Sequence, residues 1–249
     1  MTDLPNDSIP QAKPWSLLLP PGIASVVNQS NTLITAHSRL DEEERFVKQA
    51  VAKRRNEFIT GRYCLRSALA AFGRPLEKPI SVGHCRAPAL EPEYVGTISH
   101  CDSYVVAAAG RAKQYRGIGI DVEKNTPLEP GLERLICTPN EIAYLNALSP
   151  HDPTQQHALP GDPKKLIFSI KESFYKAYFK QVGCYFDFQD AEVELSHEAL
   201  SSGTGACQIR LLHAIGNKPF DPRTYSGYFL VRPRFLYTAV VISTLHLVE

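Results

Sequence analysis

Two carboxylates of matching direction stand near the midpoint of the 249-residue chain. They close the octamer Arg116-Gly117-Ile118-Gly119-Ile120-Asp121-Val122-Glu123. Ile118, Ile120 and Val122 alternate with Gly119 and Asp121, the period-two pattern of a short strand. Side chains at i and i+2 share a strand face, so Asp121 and Glu123 point the same way. Like charges so placed repel each other unless a cation lies between them or one carboxyl is protonated. The chemistry on offer is therefore metal binding or proton transfer; the plain alternative is a solvated strand end.

Three other stretches carry reactive side chains. Lys164 to Lys180 reads as a helix in which Glu172 and Lys176 lie one turn apart on one face. An exposed pair of this kind is worth only about 0.3–0.5 kcal/mol, but Ile167, Phe168, Phe174, Tyr175, Tyr178 and Phe179 surround it. Ser99 and His100 are expected at the turn before the apolar strand Tyr104 to Ala109, where a hydroxyl and an imidazole can both donate to phosphate. They do not make a serine hydrolase, because adjacent side chains cannot easily form a nucleophile–base hydrogen bond and no G-x-S-x-G turn is present. Between residues 45 and 66 the basic residues are dense: Arg45, Lys48, Lys53, Arg54, Arg55, Arg62 and Arg66. Arg54 and Arg62 are offset by about 80° on a helix, so with Arg55 and Arg66 they could line one broad flank. A solvated basic face is the ordinary alternative.

Composition sets the limits. The formal net charge is +1, so nothing global argues for nucleic acid or a membrane, and an anion site must come from a local cluster. Six cysteines form no C-x-x-C pair and have irregular spacings, which argues against zinc, and in a chain this long without a signal peptide a disulfide framework is not expected. Residues 1–14 are polar and proline-rich and read as a loose tail without a leader, and no apolar run approaches 18 residues. The sequence reads as a soluble, cytoplasmic protein.

The elements that must position these residues follow in order. Trp15 to Leu19 is expected as a strand, and Leu33 to Ala36 as another. A helical pattern runs from Asp41 to about Ala71, with a break near Ala52 or Thr60-Gly61, and Gly73 and Pro75 end it. Residues 74–97 read as loop with one short strand at Ile80-Ser81-Val82, and Arg86 lies in this loop. Thr138-Pro139-Asn140-Glu141 has the form of a helix start, with Glu141 as the acid of a capping box. Residues 149–163 read as an exposed loop. In the Lys164–Lys180 helix, Leu166, Ile170, Phe174 and Ala177 face a core. Beyond Gly183 the chain reads as four strands in an antiparallel meander. Both halves run helices first and strands after, an α+β layout, without a detectable sequence repeat.

Together, G-T-I-S-H-C, G-I-G-I-D-V-E and F-S-I-K-E-S-F-Y-K-A resemble, in order and spacing, the 4′-phosphopantetheinyl transferases of the long, two-lobed Sfp type, closest to the enterobactin-synthase and mycobacterial subgroup. That subgroup also carries R-x-x-E-F-x-x-x-R, matched here by Arg54 to Arg62. The likeness spans roughly residues 45–195. It implies two similar α/β lobes related by a pseudo-twofold axis, here 1–117 and 118–249, with the active site in the cleft between them. It implies a holo-acyl-carrier-protein synthase that moves the phosphopantetheine arm of coenzyme A (CoA) to a serine of an apo acyl or peptidyl carrier protein, releasing adenosine 3′,5′-bisphosphate. The cofactor implied is magnesium, with manganese as an alternative, and CoA is the co-substrate. A monomer is compatible with two lobes in one chain. The carrier could belong to fatty acid, polyketide, nonribosomal peptide or siderophore synthesis.

Residue by residue, the resemblance makes Asp121, Glu123 and Glu172 metal ligands. Glu172 is also a candidate base, and Lys176 and Asp121 complete the catalytic set. CoA is assigned to Arg54, Arg62, Arg86, Ser99, His100, Asp121, Glu172 and Lys176, with Arg45 and Lys171 as weaker candidates. Phe168 replaces the family's usual tryptophan and Cys101 a serine. Glu141 sits where some relatives carry a second acid, so Glu172, Glu141 or a metal-bound water could be the base, and Glu123 could touch the metal directly or through water. Two other functions remain open at this point: a CoA- or nucleotide-binding module without catalysis, and a magnesium-dependent phosphohydrolase acting on CoA-like anhydrides.

Overall fold

A computed structural model describes residues 14–28, 39–148 and 159–244. In chain order the elements are α1 (Pro14–Leu18), β1 (Ala24–Asn28), α2 (Asp41–Glu44), α3 (Ala52–Ala70), β2 (Ser81–Val82), β3 (Pro88–Ala89), β4 (Tyr94–Cys101), β5 (Tyr104–Arg111) and β6 (Tyr115–Lys124). They continue with α4 (Glu133–Ile136), α5 (Pro139–Leu148), α6 (Pro163–Val182), β7 (Ala191–Glu194), α7 (His197–Ser202), β8 (Thr204–Leu211), β9 (Thr224–Val231) and β10 (Phe235–Ser243). The result is a mixed helix-and-strand fold built on antiparallel sheets. One sheet has the order β1-β5-β4, a second β6-β10-β9-β8-β7, and β2 and β3 form a short ribbon.

Strand periodicity explains the layering. On β5, Val105, Ala107 and Ala109 pack with Cys64, Leu65, Ala68 and Leu69 of α3. The alternate residues Tyr104, Val106 and Ala108 join Ile118, Ile120 and Val122 of β6 and Phe235, Tyr237 and Ala239 of β10 in a second cluster. β5 is thus buried on both faces, which is why it reads as one unbroken apolar run. The opposite face of β6 meets α6, whose Ile170, Phe174 and Ala177 pack with Phe229, Leu236 and Val240 of the second sheet. α6 is well bounded: the Asp162 side chain accepts from the Lys164 N–H at 2.9 Å, Pro163 opens the helix, and Gly183 closes it in the left-handed conformation.

Gly117 and Gly119 fix the depth of α6. A Cβ at Gly117 would fall on the carbonyl oxygen of Ala177, and one at Gly119 on the carbonyl oxygen of Ser173. The helix backbone lies directly on the strand at these two positions.

Several sequence expectations hold. The basic helical stretch breaks just before Ala52, the short strand at Ser81-Val82 is present, and the last four strands form the meander. Others are corrected. Trp15 to Leu18 is a helix, begun by Pro14, because the buried Trp15 and Leu18 lie three residues apart on one side. Ala24–Asn28, not read as a strand, pairs with β5. Ser99 and His100 lie within β4; the turn comes at Asp102, which takes the left-handed conformation. The helix α7 interrupts the meander, capped by Ser196 and ended by left-handed Gly203. The expected tail 1–14, apart from Pro14, the expected strand Leu33 to Ala36, and the loop from 149 to 158 lie outside the described residues.

Replacing Gly119 with alanine is expected to lower unfolding free energy by roughly 3 kcal/mol or more, since backbone must move to admit the methyl group. Chemical denaturation measures this, and a midpoint equal to wild type would show that α6 does not depend on the glycine.

Candidate active site

Asp121 is the point where the distant motifs meet. Its carboxylate is buried and accepts from Ser99 Oγ on β4 at 2.8 Å, from Ser169 Oγ on α6 at 2.8 Å and from Lys176 Nζ on α6 at 2.8 Å. Lys176 also donates to the carbonyl of Ile120 at 3.2 Å and lies 3.9 Å from Glu172. Burial opposes the charge on Lys176, but Asp121 and Glu172 outweigh it and hold its pKa above the ordinary value. Ser169, Glu172, Ser173 and Lys176 fall at i, i+3, i+4 and i+7, one stripe of α6. Ser173 and Ser169 also bond the buried Thr238 hydroxyl at 2.7 and 2.9 Å, and Thr238 lies directly opposite Asp121 across the β6–β10 pairing.

Glu172 carries the unbalanced charge. Burial raises its pKa, Lys176 opposes that, and the nearby charges of Asp121 and Glu123 push it further up. Glu123 itself is 2.7 Å from Lys165. Among the described residues no group of three or more His, Cys, Asp or Glu side chains is arranged to hold a metal ion. The donor chemistry nonetheless fits a hard divalent cation: three carboxylates with mutual repulsion, two of them held by lysines instead.

Beside this centre lies a cavity of about 580 Å³ between α3, β4, the loop around β2 and β3, and α6. Arg54, Arg62, Arg86, His100 and Lys176 line it, and so does Lys180. Arg54 Nη1 is 3.1 Å from His100 Nε2, and Glu57 is 3.8 Å from both side chains. Burial pulls the His100 pKa down, with Glu57 opposing and Arg54 adding to the depression. Arg62 is only 3% exposed and stacks 4.7 Å over the Phe58 ring. Burial lowers its pKa to about 10, against the attraction of Glu43 and with the repulsion of Arg54. Among the described residues Arg62 has no ion-pair partner, and its Nε makes no hydrogen bond. A buried guanidinium with donors to spare, facing a cavity, suits a phosphate or carboxylate guest.

The predicted residues thus divide. Arg54, Arg62, Arg86, His100 and Lys176 surround one cavity, and Asp121 and Glu172 adjoin it through Lys176. Ser99 has a different task. It faces β6, donates to Asp121 and accepts from the Val122 N–H at 3.2 Å, whereas His100, one residue on, faces the cavity. Arg55 and Arg66 leave the expected flank: Arg55 bonds the carbonyl of Lys48 at 2.9 Å, and Arg66 pairs with Glu43 in the core. Arg45 stacks on Phe46. Lys171 is buried against Glu141 at 2.8 Å and two backbone carbonyls, Ile136 and Phe188, so it reaches no ligand. Glu141 makes the expected capping box with Thr138, and its other oxygen accepts from the Val193 N–H at 2.7 Å, so it is not free to act as a base.

Sequence reasoning missed Ser169, Thr238, Lys165 and Lys180. Ser169 and Lys180 could have been found by extending the Glu172–Lys176 stripe by one turn each way. Thr238 gave no signal, because only strand register brings it to Asp121.

The loop over the cavity is tied down by Arg74. Its Nε is 3.0 Å from Glu91, and its Nη atoms donate to the carbonyls of Lys78 and Pro79 at 2.7 and 2.9 Å. Lys78 also meets Glu91 at 2.8 Å.

Sequence models of two families match. One, described as 4′-phosphopantetheinyl transferase N-terminal domain, covers residues 42–110, and one described as 4′-phosphopantetheinyl transferase superfamily covers 117–216. Among curated proteins, 4′-phosphopantetheinyl transferase Svp of Streptomyces mobaraensis is 32% identical over 205 residues, 81% of this chain and 78% of that protein. Npt of Nocardia iowensis is 32% identical over 81% of this chain and 88% of its own. PptT of Mycobacterium tuberculosis is 34% identical over 82% of this chain and 86% of its own.

Burial pulls the Glu91 carboxyl up, but the bonds from Arg74 and Lys78 outweigh it and hold its pKa at about 2. A depressed carboxyl stabilises the fold above its unfolded pKa and loses that contribution as pH falls toward 2. Glu91→Gln is therefore expected to be less stable than wild type by about 1–2 kcal/mol near pH 6, after discounting for solvent screening. The gap should close between about pH 4.5 and 2; denaturation curves giving a constant gap would contradict this.

Proposed function

The chain belongs to the 4′-phosphopantetheinyl transferase superfamily, and from that membership we propose that it transfers the phosphopantetheine arm of CoA to a serine hydroxyl of an apo carrier protein, with the cleft between α3 and α6 as its active site. Adenosine 3′,5′-bisphosphate is the other product. The observation that carries the reading is the convergence of Ser99, Ser169 and Lys176 on the single carboxylate of Asp121, beside a cation-lined cavity.

The sequence along α6 suggests how CoA lies. Lys176 is the cation that meets Asp121 and Glu172 and also lines the cavity, so the pyrophosphate belongs there. Arg54, Arg62, Arg86, His100 and Lys180 offer charge and hydrogen bonds for the nucleotide phosphates on the cavity side. On the other side of Glu172 a cleft of about 50 Å³, lined by Tyr175, Tyr185, Phe186 and Phe188 with Lys171 and Asp187, has room for only the near end of the arm.

The transfer needs a proton taken from the serine hydroxyl, an attack on the phosphorus of the phosphopantetheine phosphate, and cleavage of its bond to the bridging oxygen. Glu172, with its raised pKa and partial exposure, is placed to accept the serine proton. Lys176, held protonated by Asp121 and Glu172, is placed to donate to the charge that develops on the leaving phosphate. Asp121 orients Lys176, and Ser99 and Ser169 fix Asp121. A divalent cation held by Asp121, Glu123 and Glu172 would supply charge neutralisation at the pyrophosphate. Magnesium suits these oxygen donors, and manganese is the alternative.

Two lobes, 1–117 and 118–249, related by a pseudo-twofold axis, are part of the same reading. In its support, α3 covers the outer face of one sheet and α6 that of the other, and the two family matches meet between residues 110 and 117. Among the described residues no helix is long and apolar enough to cross a membrane. Which carrier is used is best asked with a panel of apo carrier domains.

Incubation with CoA, Mg²⁺ and an apo carrier is expected to add one phosphopantetheine to the carrier, read by mass; a folded protein that adds none to any carrier would overturn the proposal. Asp121→Ala and Glu172→Ala are each expected to lower kcat by roughly 100-fold or more, and near-normal turnover in either would refute its role. Arg54→Ala and Arg62→Ala are expected to raise the KM for CoA by roughly 10-fold or more with a smaller change in kcat; an unchanged KM would return these arginines to a structural role.

A further inference from the structure

Six cysteines are spread along the chain, and their surroundings differ. Cys64, Cys137 and Cys207 are buried, and burial pushes their thiols up to about 12, 11 and 12. Cys101 is half-buried and its thiol is also pushed up, by burial and by the charge of Glu123. Cys184 is half-buried against Gly216. Cys85 alone is exposed, and it lies in the wall of the cation-lined cavity.

Its backbone holds it there. Cys85 and Arg86 both take left-handed conformations, φ 49° and 64°, uncommon for residues other than glycine. The turn is closed by the Gly83 N–H donating to the Ala87 carbonyl at 2.8 Å. Arg86 is the next residue, and it lines the same space. Independently of the thiol, that space is built for an anion: Arg62, 3% exposed, and Thr97, 4% exposed, both line it, and neither Arg62 Nε nor Thr97 Oγ1 has a hydrogen-bond partner among the described residues. Buried polar atoms left unpaired in a cavity wall call for a polar guest.

We propose that Cys85 is a modification site for anionic disulfides of low molecular mass, and that the group it acquires blocks the cavity. The thiolate of Cys85 attacks one sulfur of the incoming disulfide, a new S–S bond forms, and the old one breaks. The other half leaves as a thiolate, and the proton Cys85 gave up goes to solvent. Cys85 is oxidised to a mixed disulfide while the incoming disulfide is reduced to one free thiol. Arg86 and Arg62 draw the anion in, and the buried cysteines are out of its reach. The exchange does not depend on the functional reading above; the loss of transfer that follows from it does.

The probe is 5,5′-dithiobis(2-nitrobenzoate), an anionic disulfide whose released thiolate is coloured. With the full chain, one thiol is expected to react roughly 10-fold or more faster than the rest, and Cys85→Ser should remove that phase. Saturating adenosine 3′,5′-bisphosphate should slow it by a similar factor. Modified wild type should lose transfer and regain it with dithiothreitol, while Cys85→Ser treated alike keeps its untreated rate. Cys85→Ala serves as the second variant, with thermal unfolding to verify both folds. A fast phase that survives in both variants would overturn the site. Undiminished transfer by modified wild type, or a fast phase indifferent to the nucleotide in protein that transfers normally, would overturn the blocking. If untreated protein transfers to no carrier, the functional reading falls, and the two variants still decide the thiol.

Discussion

The contact between α6 and β6 sets the position of everything at the site. Without side chains at Gly117 and Gly119, the backbone of α6 rests on the strand at Ala177 and Ser173. Asp121 is the next outward-facing residue of the strand, and Ser169 and Lys176 of the helix reach it at 2.8 Å. A helix held off by even one methyl layer would carry Lys176 and Glu172 away from Asp121. The glycines cost backbone freedom and strand propensity, and the tight seat of a 20-residue helix offsets that cost. The precision of this cluster is thus a packing property before it is an electrostatic one.

Electrostatics then sort the charged groups by partner. Asp121 is satisfied by two hydroxyls and an ammonium. Lys171 and Glu141 satisfy each other in the core and are spent on structure, although Lys171 is adjacent in sequence to Glu172. Breaking such a buried pair typically costs about 3–5 kcal/mol, which makes it an anchor for α6 rather than a participant. Glu172, one residue on, faces the other way, stays partly exposed and keeps a raised pKa. A helix turns 100° per residue, and that rotation alone separates the two roles.

The basic helix α3 divides in the same manner. Arg66 turns inward to Glu43, while Arg62, one turn earlier, is buried at the cavity wall without an ion pair among the described residues. Gly61 lets this helix approach β4, since a Cβ there would come within 2.8 Å of Ile98. The two helices therefore meet the cavity from opposite sides by similar means, close seating on a strand at small residues. The turn at Cys85 and Arg86 closes the remaining side, and Arg74 ties together the two flanks of its loop at Lys78, Pro79 and Glu91.

The sequence by itself determined the chemistry and most of the elements. Spacing put Asp121 and Glu123 on one strand face and Glu172 and Lys176 on one helix face, because those periodicities are local. Composition and turn residues located α3, α5, α6 and the final meander for the same reason, and four ordered motifs identified the family. Local pattern could not separate a five-residue helix from a strand at Trp15, nor see that β4 runs through Ser99 and His100, since both depend on what packs beside them. It could not tell Arg62 from Arg66, Ser99 from a phosphate ligand, or Glu141 from a base. Those distinctions belong to the tertiary structure alone: which partner lies within 3 Å of a charge, across 22 to 55 residues of chain, is fixed by register and helix seating, and neither leaves a period in the sequence.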